Sequence, residues 1–269
     1  MSEGAVAGDA IWHDARMAVV TLRYSERPEL WQRIADLSSQ VWPEYNLHGE
    51  VANRYWGQLY HDFPDFQFVL YDDERDEVLA EGHTLPCFWD GTAAGLGTGI
   101  DHIITAGFAL REAGDAPNAL SALAAEVRPE RRERGLSTVL LKAMAGLAAS
   151  ADLEFLVAPV RPSLKERYPL APIERYMHWT NRDGQPFDPW IRVHLRLGGC
   201  IVAPVPHSMR ITGSVADWES WTEMEFPESG NYVFPHGLAT LRIDREADVG
   251  SYWEPNVWIA HRAASSVKV

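Results

Sequence analysis

The chain has 269 residues, 46% of them hydrophobic, and its 38 Asp and Glu outnumber its 24 Lys and Arg to give a formal net charge of −14. That is enough apolar material for one large domain or two small ones, and no run of about 18 or more apolar residues exists, so no membrane span is expected. The acidic balance argues against broad affinity for nucleic acid, whose phosphates repel a net-negative surface; it suits a cationic or amine substrate, and a surface charged for solubility is the plainer reading.

The first residues, MSEGAVAGDAIWHDAR, have no basic stretch followed by a continuous apolar one, so no secretion signal is expected. Met17–Tyr24 is short and β-branched and reads as a strand. Pro28 opens a helical stretch with Leu30, Ile34, Leu37 and Val41 on one face, and a second helix covers Glu50–His61. Gln67–Tyr71 and Glu77–Leu85 form a hairpin around the turn DDERDE. Gly91–Gly99 is glycine-rich but lacks the G-x-G-x-x-G spacing of a dinucleotide fingerprint, so it reads as a loop. A helix is expected over Asp101–Glu112, a strand over Ala119–Val127, a helix over Leu136–Ala149 and a strand over Phe155–Val160. Asp188–Leu197 is helical and Cys200–Ile211 is one strand or two. Tyr232–Val233, Ala239–Ile243 and the closing NVWIAH are late strands. This order predicts an α/β protein with a mixed sheet rather than regular βα repetition, with no internal repeat and no low-complexity linker.

Chemistry concentrates at Glu126–Met144, EVRPERRERGLSTVLLKAM. A helix N-terminus leaves backbone N–H groups unpaired and carries partial positive charge, so it binds anions. Gly135 and Ser137 keep bulky side chains away from those amides. Arg128, Arg131, Arg132 and Arg134 surround the same turn with guanidinium groups suited to phosphate. Beyond it Leu136, Val139, Leu140, Met144 and Leu147 form a core-facing stripe. A diphosphate lying between a strand end and a helix start fits this pattern; a solvated basic turn before an ordinary amphipathic helix is the plainer reading.

The run VRPERRERGLS, with Val127, Pro129, Arg132, Gly135 and Ser137 as fixed points, resembles the acetyl-CoA-binding signature of the GNAT superfamily of N-acyltransferases. Ser137 departs slightly from the usual Q/R-x-x-G-x-G/A. The likeness covers roughly Ala119–Val205 and includes Arg192–Gly199 (RVHLRLGG), which is similar to a later family helix. It implies a mostly antiparallel mixed sheet, flanked by helices and split like a V, with pantetheine of acetyl-CoA or another acyl-CoA in the split and no metal. The donor would lie along Val127, Arg128, Arg131, Arg132, Arg134, Gly135, Leu136, Ser137 and Thr138. His194 falls where the family usually has the Tyr assigned to protonating the leaving thiolate, and an imidazolium could do the same. For the general base, strand alternation puts Val127, Ala125, Leu123 and Ser121 on one face and turns Glu126 away, unless a bulge reverses the parity; Glu126 and Ser121 are both candidates.

A single domain over residues 1–269 is expected, with insertions near 90–118 and 161–190. The second insertion and its edge bring His178, Trp179, Asp188 and Trp190, aromatic, acidic and imidazole groups that could wall a pocket for an amine; a loop covering the sheet is the alternative. The two cysteines, Cys87 and Cys200, make no disulfide framework or zinc site, so a reducing cytoplasm is expected. No H-E-x-x-H, C-x-x-C, G-x-S-x-G or Walker motif occurs. The expected activity is acyl transfer to the amine of a small-molecule or peptide acceptor by direct attack on the thioester. Rivals are the same fold with an acyl carrier protein or an aminoacyl-tRNA as donor, and a non-catalytic acyl-CoA-binding protein. A homodimer is left open.

Overall fold

The computed structural model describes residues 19–263, with the side chains of Arg132, Glu133 and Arg134 outside the described set. Met17 and Ala18 of the expected first strand therefore lie outside the described residues. The strands are β1 (Val19–Arg23), β2 (Gln67–Asp72), β3 (Glu77–Cys87), β4 (Ala119–Val127), β5 (Phe155–Val160), β6 (Cys200–Gly213), β7 (Gly230–Tyr232), β8 (Leu241–Asp244) and β9 (Val249–Arg262). The helices are α1 (Leu37–Val41), α2 (Glu50–Asp62), α3 (Ile100–Ala113), α4 (Leu136–Ser150), α5 (Ile173–Tyr176), α6 (Pro189–Arg196) and α7 (Val215–Thr222).

All these strands join one nine-stranded sheet in the order β1-β2-β3-β4-β5-β9-β8-β7, with β6 pairing β9 from the side. Every pairing is antiparallel except β4 with β5. That parallel contact is brief: it runs only from Ala119↔Phe155 to Ser121↔Val157. Beyond Ser121 the two strands part, and β4 continues to Val127 with no strand beside it on that edge.

The apolar stripe of α4 builds one core: Leu136, Leu140, Leu141, Met144 and Leu147 pack on Phe68, Leu79, Leu120, Val127 and Leu156. At about 25 cal/mol per Å² of apolar surface, each fully buried Leu or Met contributes roughly 1.5–3 kcal/mol, so the start of α4 is firmly seated beside the split. On the opposite face Ile103 and Ile104 of α3 meet Leu85, Leu123, Val157 and Trp258. Within residues 90–118, α3 thus covers the sheet. The stretch 161–190 closes on its own aromatic rings: Tyr168, Tyr176, Trp179 and Phe187 lie with ring centroids 5.0–6.3 Å apart.

One expected element differs in kind, and an open one is resolved. The helix opening at Pro28 is a 3-10 segment, Pro28–Ile34, followed by the separate α1. Leu30, Ile34 and Leu37 still pack together, on Val69, Tyr71 and Val78. Cys200–Gly213 is one long strand. Helix α7 carries a capping box, Ser214 with Asp217, and buries Trp218, a start signal that the reading of the sequence passed over.

Candidate active site

The opening between β4 and β5 holds two cavities that meet. One, about 510 Å³, is lined by Val127, Ser137, Leu141, Met144, Trp190 and His194. The other, about 200 Å³, lies on the opposite side of the sheet and is lined by Ser38, Trp42, Asn46, Glu126, Glu254 and Asn256 among others. Trp42, Leu123, Ala124, Pro159 and Arg161 line both.

A bulge in β4 makes this possible. His83 pairs with Ala124 and Thr84 with Ala122, which leaves Leu123 as an extra residue. Leu120, Ala122, Ala125 and Val127 face α4, whereas Leu123 faces α3. The expected face of Val127, Ala125, Leu123 and Ser121 is thus broken at Leu123. Below the bulge, Ser121 and Leu123 share a side; above it, Glu126 returns to that same side and enters the smaller cavity. Ser121 itself is buried where β4 and β5 still pair, lines neither cavity and has an Oγ without a hydrogen-bond partner.

The larger cavity runs to the start of α4. Gly135 sits at the N-cap in the left-handed region, φ 70°, and no side chain caps the helix. The space that a Cβ on Gly135 would enter is open. Among the described residues nothing stands where that Cβ would go, which suits the approach of an anion to the first-turn amides. Leu136 is buried in the core, and the Thr138 amide already donates to the Gly135 carbonyl at 3.0 Å. Two of the four arginines do other work. Arg128 donates to the carbonyls of Val78 (2.8 Å) and Arg33 (3.1 Å), and Arg131 pairs with Glu77 at 2.5 and 3.2 Å. They tie the turn to the hairpin, which corrects the expectation that all four guanidinium groups surround the ligand. The side chains of Arg132 and Arg134 lie outside the described residues.

His194 lines this cavity, 1% exposed, with Nδ1 2.9 Å from His261 Nε2. Burial, helped by His261, drives its pKa down to about 3. The ring is neutral at physiological pH, so the imidazolium expected there is not available. Trp190 stands edge-on to it at 4.5 Å and walls the larger cavity rather than an amine pocket.

The smaller cavity is backed by a buried acid–imidazole cluster. Glu126 accepts from Trp42 Nε1 (2.7 Å) and Ser38 Oγ (2.9 Å). Glu81 accepts from Trp31 Nε1 and from Tyr60 Oη at 3.1 Å. His83 lies between them, with Nε2 3.1 Å from Glu81 and Nδ1 3.3 Å from Gln67 Oε1. Burial raises the Glu126 carboxyl, with Glu81 adding to the shift and His83 opposing it. Burial alone would depress His83, but Glu81 and then Glu126 lift it above its ordinary value. Burial would likewise lift Glu81, yet His83, Trp31 and Tyr60 hold it low. Ligand atoms of Glu81, His83 and Glu126 all lie within 4.8 Å of one another. Four side-chain donors already occupy the two carboxylates, so the cluster is built as a proton-holding network.

Across the split, Arg161 pairs with Glu254 and donates through Nη2 to Tyr45 Oη (3.1 Å) and the His236 carbonyl (2.9 Å). Tyr252 Oη donates to the other Glu254 oxygen at 2.5 Å. None of Ser38, Trp42, Asn46, Arg161, Glu254 and Asn256 was singled out from the sequence. Three residues that were are placed elsewhere. Asp188 caps α6 through Trp190 N (3.0 Å) and Ile191 N (3.2 Å), and also accepts from Tyr176 Oη (2.9 Å) and Leu164 N (2.8 Å); its acceptor sites are filled by the protein. Trp179 packs in the aromatic cluster of the insertion, and His178 is exposed outside both cavities.

No protein-family model matches the chain. It is 32% identical over 270 residues to the arginine N-acetyltransferase AvaD of Aspergillus versicolor, an alignment covering 87% of this chain and 91% of the relative. Among solved structures it is similar to the loading GNATL domain of CurA from Lyngbya majuscula, with a TM-score of 0.56 and 17% identity, covering 91% of this chain and 98% of that one. It is also similar to the GphF GNAT-like decarboxylase in complex with isobutyryl-CoA, with a TM-score of 0.52, 17% identity and the same shares. At that identity the two structures speak to fold.

Proposed function

The chain belongs to the GNAT superfamily of N-acyltransferases, and from that premise we propose that it transfers an acetyl group from acetyl-CoA to a primary amine of a small-molecule acceptor. The observation that carries this reading is the position of Glu126: a buried carboxylate with a raised pKa, turned by the bulge into the smaller cavity where it meets the larger one. The larger cavity and the uncapped start of α4 suit pantetheine and pyrophosphate. The smaller suits the acceptor. The arginine N-acetyltransferase relative makes arginine the first acceptor to assay.

In this reading Glu126 takes a proton from the acceptor ammonium. The freed nitrogen lone pair attacks the thioester carbonyl, and the unpaired edge of β4 beyond Ser121 offers backbone N–H groups to the developing oxyanion. The C–N bond forms, the C–S bond breaks, and the electron pair leaves on sulfur, which takes up a proton as CoA departs. His194 stands on the donor side as a neutral hydrogen-bonding group. Single-domain organisation and a free acyl-CoA donor are part of the same proposal.

The test is acetyl-CoA with arginine, followed by CoA release and product mass. Glu126→Gln keeps the shape of the carboxylate and removes the base, so kcat should fall about 10²–10⁴-fold with acetyl-CoA affinity unchanged. Unchanged kcat, where chemistry limits the rate, would remove Glu126 from the mechanism. No turnover with any amine, and no binding of acetyl-CoA by calorimetry, would leave a carrier-protein donor as the leading reading.

A further inference from the structure

The smaller cavity carries more than a base. Its two sides differ in chemistry. The β4 side offers the Glu126 carboxylate, an acceptor of N–H groups. The β5–β9 side offers donors. Arg161 follows the end of β5, and Asn256 lies on β9 beside it, where Val160 pairs with Val257. Arg161 commits Nε to Glu254 and Nη2 to Tyr45 and His236, while Nη1 makes no hydrogen bond among the described residues. Asn46, which lines the same cavity, has a buried Nδ2 without a hydrogen-bond partner. An unused guanidinium nitrogen and an orphaned amide N–H in one small cavity leave donors unpaid for until an anionic group arrives.

The cavity's charges fit the same occupant. Its lining sets two carboxyl groups, Glu126 and Glu254, against the one guanidinium of Arg161, so it complements a ligand that has both an ammonium and a carboxylate and a further positive charge. A simple alkylamine would satisfy Glu126 and leave Arg161 Nη1 and Asn46 Nδ2 dry. Glu254 does not substitute for the missing anion: it already accepts from Arg161 and Tyr252.

Resting on the acetyltransferase reading above, we infer that the acceptor is a free α-amino acid, its carboxylate docked on Arg161 Nη1 and Asn46 Nδ2 and its reacting amine turned towards Glu126. The carboxylate contact exists before and during the reaction, so it acts on acceptor affinity and leaves the chemical step alone.

Three acceptors of matched side chain isolate it: arginine, arginine amide, whose carboxylate is neutralised, and agmatine, which lacks it. With acetyl-CoA saturating, wild type should show KM about 10- to 100-fold higher for the amide and for agmatine, the range of one lost charge-assisted contact, with kcat within about threefold. Asn46→Ala should raise KM for arginine and leave KM for agmatine unchanged, which a mere structural defect would not do. Arg161→Met should do the same more strongly, provided that circular dichroism shows a native fold, since it also strands Glu254. Equal KM for the three acceptors in wild type overturns the inference and leaves the acetyltransferase reading standing. Turnover of agmatine in preference to arginine overturns it too. Absence of any turnover with acetyl-CoA instead counts against the acetyltransferase reading itself.

Discussion

Substituting Gly135 separates the backbone role of the α4 turn from its role as an anion site. The residue sits at φ 70° and has open space where a Cβ would go. Gly135→Ala therefore meets no steric clash and costs only the left-handed penalty, about 1 kcal/mol, or roughly 2–4 °C in Tm. Gly135→Glu carries the same backbone cost and adds a carboxylate at the approach to the first-turn amides. Two like charges about 4 Å apart at an effective dielectric near 20 repel by about 4 kcal/mol, close to a 1000-fold loss in affinity. Calorimetric titration with CoA and with phosphate-free pantetheine, on variants whose circular dichroism matches wild type, gives the comparison. Wild type and Gly135→Ala should both prefer CoA strongly and bind it within about threefold of each other. Gly135→Glu should lose that preference while binding pantetheine normally. A folded Gly135→Glu protein that binds CoA as tightly as wild type would refute the placement of the pyrophosphate on this turn.

Two further outcomes follow from the buried polar groups. Because Glu126 must be ionised to act as base and its pKa is raised, kcat should rise with pH through the Glu126 titration; His83→Gln removes the cation that opposes that rise, so the acid limb should move to higher pH, read from kcat between about pH 5 and 9. Asp188→Ala removes a helix cap and strands Tyr176 Oη and the Leu164 amide, so urea unfolding should show a loss of about 2–4 kcal/mol.

The half of the site proposed to hold the donor is the more local in sequence. Strand, turn and helix from Ala119 to Ser150 follow one another, and the chemistry of an uncapped helix start is written in Gly135 and Ser137. Two of the arginines, Arg128 and Arg131, were misjudged for a physical reason. Guanidinium groups suit phosphate, but they suit backbone carbonyls and Glu77 equally, and only the hairpin's position decides which they meet. Protonation was harder still. The sequence shows that residue 194 is His; burial and the ring of His261, 67 residues away, set its charge.

The bulge had no signal of its own. ALSALAAEV has no Gly or Pro to mark it, and the extra residue at Leu123 exists only because β3 offers one fewer partner there. The lining of the smaller cavity, proposed for the acceptor, is scattered from Ser38 to Asn256, so no spacing could reveal it. A weaker cue was present. Glu81 and His83 interrupt the apolar strand EVLAEGHTLPC, Arg161 follows FLVAPV, and Glu254 and Asn256 interrupt YWEPNVWIA. Charged and amide groups in strands that are otherwise buried are costly unless they find partners, and such strands meet other strands across a sheet. Read together, these interruptions point to polar groups that meet across the sheet, and Arg161, Glu254 and Asn256 do meet, in the smaller cavity where β4 and β5 part.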